Sequence, residues 1–230
     1  MRRRGPLPTA EGRGKAGASL VRKSAVLPVP PLLLITDRAQ ARAPLAQVAA
    51  AAFAGGVRWA SVREKDLPEA EQAALVAVLK DAARPFGARV MLHGTPALAR
   101  VAGADGVHLA AGADAAEART VMGTDALIGL SIHTLEEAAG ADQALVDYVV
   151  AGPAFETASK PGYGPALEEA GLSRLVAACR VPLLALGGVD RETIASCRRA
   201  GVGGVAVMGG IMRAADPRGE AAALVTAWRD

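Results

Sequence analysis

Three strand-like runs of this chain end in glycine. Val146-Asp147-Tyr148-Val149-Val150 leads into Ala151-Gly152-Pro153-Ala154-Phe155-Glu156-Thr157-Ala158-Ser159-Lys160-Pro161-Gly162. Leu183-Leu184-Ala185-Leu186 leads into Gly187-Gly188, and Gly204-Val205-Ala206-Val207-Met208 into Gly209-Gly210. Without a Cβ, a backbone N–H can approach a phosphate closely. Thr157, Ser159 and Lys160 add two hydroxyls and a cation to the first of these loops. Repeated at successive strand ends, this chemistry predicts an anion site at one rim of a sheet.

Further polar side chains recur at strand ends. Arg63-Glu64-Lys65 puts two cations beside one acid. Read as function it is a phosphate or pyrophosphate clamp, with forked donors on Arg63; read as structure it is a solvated ion cluster. Ser131-Ile132-His133 alternates so that Ser131 and His133 share a side, and imidazole suits proton transfer near neutral pH. The competing reading makes His133 a loop residue that holds a backbone carbonyl. His108, inside Asp105-Gly106-Val107-His108-Leu109, reads better as an inward structural histidine, and His93 is open between the two. All three histidines of the chain fall at strand ends. Asp37, Asp105 and Asp114 are the acids to weigh as metal ligands; none has a second acid close by at a strand end, so no metal site is expected.

The elements that would position these residues are short apolar runs alternating with Ala-rich helical stretches. The strands are expected at Leu32–Thr36, Val57–Val62, Arg89–Leu92, Gly106–Leu109, Leu127–Ser131, Asp147–Val150, Pro182–Leu186 and Gly204–Met208. The helices are expected over 44–54, 68–84, 95–102, 114–121, 134–140, 167–179, 190–200 and 216–229. Eight strands and eight helices predict a single-domain (β/α)8 TIM barrel of the α/β class over residues 31–230, with active residues at the C-terminal strand ends. A doubly wound sheet would call for a Gly-x-Gly-x-x-Gly loop after the first strand, where Thr36-Asp37-Arg38 stands instead. Gly55, Gly103, Gly171 and Gly201 are expected as helix C-caps at positive φ, and Pro44, Pro68 and Pro217 as helix starts.

Composition narrows the function classes. The 230 residues are 51% hydrophobic, enough for one sizeable core. Only seven are aromatic, which argues against a base-stacking nucleic-acid platform. Seven of the 26 basic residues and one of the 23 acidic residues lie within 1–30, leaving 19 and 22 for the rest. The basic character belongs to an N-terminal extension expected to stay disordered, and the remainder is mildly acidic. Two cysteines without metal spacing read as reduced thiols of a cytoplasmic protein, and no apolar run approaches membrane-span length. A small molecule is the expected partner, with no nucleic acid and no membrane; a homo-oligomer is compatible with the sequence, which does not fix the oligomeric state.

Ile35-Thr36-Asp37, Arg63-Glu64-Lys65, Asp105-Gly106-Val107-His108-Leu109, Ser131-Ile132-His133, Gly152-Pro153-x-Phe155-x-Thr157-x-Ser159-Lys160, Ala185-Leu186-Gly187-Gly188 and Gly204-Val205-Ala206-Val207-Met208 occur in order. As a set they resemble the thiamine phosphate synthase/TenI superfamily over about residues 32–228. The resemblance implies a TIM barrel that handles a thiazole phosphate. Its synthase branch joins a pyrimidine pyrophosphate to the thiazole phosphate, with Mg²⁺ neutralising the departing pyrophosphate. Its TenI branch includes tautomerases that shift a proton to aromatise thiazole carboxylate phosphate.

The synthase carries Asn-Asp-Arg where His93-Gly94-Thr95 stands, and His-Leu-Gly-Gln-x-Asp where the chain has His108-Leu109-Ala110-Ala111-Gly112-Ala113, with Asp114 one place late. Ser61 replaces its glutamine. These departures resemble the TenI branch. The expectation is therefore an isomerase without a cofactor, with His133 as acid/base and Lys160 beside it as the catalytic side chains. Arg63, Lys65, Ser131, Thr157, Ser159, Gly187, Gly188, Gly209 and Gly210 would bind the substrate and its phosphate. The Mg²⁺-dependent synthase is the alternative, and a non-catalytic phosphate-binding barrel a further one.

Overall fold

The computed structural model describes residues 26–157 and 165–230. The basic extension, except for its last residues, and Ser159 and Lys160 therefore lie outside the described residues. Eight parallel strands close into a barrel in sequence order: β1 (Leu32–Ile35), β2 (Trp59–Val62), β3 (Arg89–His93), β4 (Gly106–Leu109), β5 (Leu127–Ile132), β6 (Tyr148–Ala151), β7 (Leu183–Leu186) and β8 (Gly204–Val207), with β8 pairing back onto β1. Helices α1 (Leu45–Ala54), α2 (Glu69–Ala83), α3 (Pro96–Val101), α4 (Ala115–Met122), α5 (Leu135–Gly140), α6 (Glu168–Ala178), α7 (Ile194–Arg199), α8 (Gly209–Met212) and α9 (Pro217–Arg229) complete the described fold. This is the expected (β/α)8 architecture with one more α-helix than expected, the single turn α8, and a short 3-10 helix at Arg84–Phe86.

The strands are buried on both faces, which is why they read as continuous apolar runs. Outward residues such as Leu34, Val62, Leu92 and Val149 pack against the helices in the larger core. Inward residues Leu33, Ile35, Trp59, Met91, Leu127, Tyr148, Val150, Leu184 and Ala206 fill the barrel. Trp59 and Tyr148 meet edge to face there, with centroids 5.0 Å apart.

The N-terminal face is tied by two ion pairs. Lys80 donates to Asp105, whose second oxygen accepts from the Val90 N–H. Arg119 donates to Asp147 and to the carbonyls of Gly123, Ala126 and Leu145. Asp147 lies just before β6, where the sequence placed it within the strand.

The helix boundaries follow local chemistry. Pro44 and Pro68 precede α1 and α2, and Pro217 opens α9. Thr95 and Asp114 cap α3 and α4 through their side chains. Gly103 and Gly201 take positive φ after α3 and α7 as expected, but Gly55 and Gly171 do not. Gly55 is right-handed at φ −77°, and its missing Cβ lets α9 approach α1 closely. Gly171 lies buried inside α6. At Gly55 glycine serves packing, a demand that local sequence does not distinguish from capping.

Candidate active site

The C-terminal strand ends surround a cavity of about 530 Å³. Arg63, Lys65, Ser131, His133, Thr157, Gly187, Gly188, Gly209 and Gly210 all line it, as do His93, His108, Glu156, Asp190 and Arg213. Together with Ile35 on the same lining, all eight strand ends or the loops that follow them contribute.

Loop β2–α2 splits by alternation. Arg63 and Lys65 face the cavity, while Glu64 turns away and is buried. The Glu64 carboxylate accepts from the Arg38 backbone N–H at 3.1 Å and from its guanidinium at 3.2 Å. Arg38 also forks onto Asp66 through two 2.7 Å bonds, and this guanidinium holds the Asp66 carboxyl below its ordinary pKa. The Arg63 N–H donates to Thr36 Oγ1 at 2.9 Å. The loops after β1 and β2 thus brace each other, and Arg63 is presented from a backbone held in place.

At the glycine rim, Gly187 and Gly188 take φ of +94° and +64°. A Cβ on Gly188 would stand 2.5 Å from the Glu156 carbonyl, so only glycine lets β7 pass under the β6 loop. On the other side the Arg213 guanidinium lies over Gly209 and donates to Gln40, which in turn donates to Asp37. Asp37, weighed as a metal ligand, is thereby engaged in a link between the first and last loops.

The floor is a buried polar chain. His108 Nε2 lies 3.0 Å from Ser131 Oγ, and Nδ1 lies 3.3 Å from the Tyr148 hydroxyl. His93 pairs with His108 in register, their ring centroids 4.8 Å apart. Burial, helped by the nearby Lys65 charge, pushes the His108 imidazole down to about 3, so it is neutral at ordinary pH. Burial likewise raises the Tyr148 hydroxyl. Gly129 makes room for the pair, since a Cβ there would run into the Tyr148 ring and His108 Nδ1. His133 stands exposed at the mouth. Its backbone N–H donates to Glu137 Oε2 at 2.6 Å, and Glu137 and Thr134 form a capping box at the start of α5. That N–H is the first cause holding the Glu137 carboxyl below its usual pKa.

Among the described residues no group of three or more His, Cys, Asp or Glu side chains is placed to hold a metal ion. Glu156 and Asp190 are the carboxylates on the cavity wall, and Asp190 already accepts from the Glu192 and Thr193 N–H groups. Asp114 is spent on the Ala116 and Glu117 N–H groups. Mg²⁺ is commonly held by one or two carboxylates together with waters and substrate phosphates, so among the described residues Glu156 and Asp190 are the wall side chains that would hold the ion the synthase branch implies.

Sequence reasoning left His93 open and favoured an inward structural role for His108; both line the cavity, and His108 is buried there. Their period-two alternation was the available signal. Tyr148 and Arg213 were missed: Tyr148 lies 40 residues from His108, and Arg213 follows a helix too short to be read.

A model of the family described as thiamine monophosphate synthase matches residues 32–211. A putative thiamine-phosphate synthase of Geobacter sulfurreducens is 40% identical over 199 residues, covering 84% of this chain and 92% of that relative. A thiamine-phosphate synthase of Roseiflexus sp. is 34% identical, covering 83% and 82%. The solved thiamine phosphate pyrophosphorylase of Pyrococcus furiosus superposes with a TM-score of 0.76 at 27% identity, covering 86% of this chain and 95% of that one. These names favour the transferase, the alternative from the sequence, and lend the isomerase no support. With its barrel and its rim so arranged, the chain belongs to the thiamine monophosphate synthase family.

Proposed function

We propose that the cavity binds a phosphorylated thiazole of thiamine biosynthesis and that the chain moves a proton on it. The observation that carries this reading is the donor set. Three histidines and a serine face the cavity, while its carboxylates do not cluster as a metal site. The substrate phosphate would sit on the backbone of Gly187, Gly188, Gly209 and Gly210 beside Arg213, where barrels commonly hold phosphate after the seventh and eighth strands. Arg63, Lys65, Ser131 and Thr157 would face the anionic end of the ring; Ser159 and Lys160, proposed from the sequence as further ligands, lie outside the described residues.

Tautomerisation needs one group that removes a proton from carbon and returns one to a neighbouring position. His133, the histidine at the mouth, fills that role, because imidazole exchanges protons near neutral pH. His108 is kept neutral by burial and serves the binding floor instead. Replacing His133 by alanine is expected to lower kcat for aromatisation of thiazole carboxylate phosphate by about 10²- to 10⁴-fold, the usual worth of a general base. Unchanged turnover in a single-turnover assay of His133→Ala would remove this reading.

The relatives' names favour a second reading, in which the chain joins a pyrimidine pyrophosphate to the thiazole phosphate. Arg63 and Lys65 supply cations for the departing pyrophosphate. This reading expects pyrophosphate release matched one for one by thiamine phosphate, and loss of both on Arg63→Ala.

A further inference from the structure

We infer that His108 is a positioning residue: held by Tyr148, it turns the Ser131 hydroxyl proton into the cavity, making Ser131 a fixed hydrogen-bond donor to the anionic end of the ligand. The inference rests on the reading of this cavity as an anion site.

The argument is one of proton direction along a chain of four buried or half-buried groups. The Tyr148 hydroxyl has one proton and two acceptors within reach, His108 Nδ1 at 3.3 Å and Met91 Sδ at 3.5 Å. A thioether is a weak acceptor and a neutral imidazole nitrogen a good one, so the proton goes to Nδ1. A neutral imidazole carries one N–H, which then resides on Nε2. Nε2 lies 3.0 Å from Ser131 Oγ and donates to it. The serine lone pair facing the ring is thus occupied, and the Ser131 proton has to point elsewhere. Ser131 lines the cavity, beside Arg63 and Lys65.

Two features show that this chain is a built arrangement. His108 is buried with Lys65 near it, which keeps the ring from taking a second proton and preserves its single N–H. Gly129, opposite both rings, is where any Cβ would collide with the Tyr148 ring and with Nδ1, so the contact exists only because that residue is glycine. The opposite orientation, with Tyr148 donating to sulfur and Ser131 to Nε2, would present serine lone pairs to an anion and repel it.

The test uses the full chain labelled with ¹⁵N-histidine, the His108 signals being assigned by their loss in His108→Gln. The ligand-free protein is expected to show a neutral ring protonated on Nε2, changing in Tyr148→Phe, where the donor to Nδ1 is gone. Protonation on Nδ1 in the wild type would overturn the inference. Calorimetric titration with thiazole carboxylate phosphate, and separately with inorganic pyrophosphate, supplies the functional arm. Tyr148→Phe is expected to weaken whichever anion binds by about fivefold, the worth of one hydrogen bond. In a Ser131→Ala background the same change is expected to have no effect. Equal weakening in both backgrounds would mean that Tyr148 only packs the floor, and would overturn the inference. Should neither anion bind the wild type, the reading of the cavity fails, while the tautomer of His108 still decides the proton direction.

Discussion

His108 and His133 show how one side-chain type is set in two opposite surroundings. His133 stands at the mouth with its backbone clamped by Glu137, while His108 is sunk between Tyr148 and Ser131. Burying a histidine as the neutral base has a consequence for stability. The His108 pKa drops from 6.5 to about 3 on folding, so between those values the unfolded chain binds a proton that the folded chain does not. This contribution is therefore constant above pH 6.5 and falls as the pH is lowered from there towards 3. The expected slope from this one group is about 1.4 kcal/mol per pH unit. Urea unfolding at pH 7 and pH 5 should show it, and His108→Gln should flatten the difference. An unaltered difference in His108→Gln would mean that the ring is not held neutral. At this scale the sequence was partly legible. Arg63, Lys65, Ser131 and His133 announce themselves by type at strand ends, whereas Tyr148 reads as an ordinary strand aromatic until the closing of the barrel brings it to His108.

At the scale of elements, the two ends of the barrel divide the work. The loops after the strands carry the cavity, and the loops before them carry ion pairs that pin strands to helices. Arg119 reaches from α4 to fully buried Asp147, which also accepts from the Ile128 N–H. Its guanidinium donates to three backbone carbonyls as well. Removing it leaves Asp147 without this counter-ion in the interior. Arg119→Ala is expected to destabilise the fold by about 3 kcal/mol, read as a shift of the denaturation midpoint, with KM for substrate unaltered because the site is at the opposite face. A change in KM without a change in midpoint would contradict that division. The strands were legible because parallel strands buried on both faces leave apolar runs of four to six residues. Helix α8 was not: four residues, two of them glycine, carry no period. Its absence from the expected pattern also hid Arg213, which it places over the glycine rim. Gly55 shows the same limit, since glycine needed for helix contact looks like glycine needed for a cap.

Taken whole, the molecule is a barrel whose closure from β8 onto β1 brings together residues from both ends of the chain. Arg213, Gln40 and Asp37 are linked across that seam, and the cavity is walled by segments from Ile35 to Arg213. The family was legible from motifs spread over this span. The reaction within the family was not, because Arg63, Lys65, Ser131 and the glycine pairs would suit a phosphate in either chemistry, and the relatives' names and the histidines on the lining point to different branches. Measuring wild-type protein in two parallel assays addresses this directly. One supplies the non-aromatic tautomer of thiazole carboxylate phosphate and follows aromatisation. The other supplies pyrimidine pyrophosphate, thiazole phosphate and Mg²⁺ and follows thiamine phosphate. The arrangement of His133 over a cavity without clustered carboxylates predicts turnover in the first assay alone; formation of thiamine phosphate in the second would contradict it.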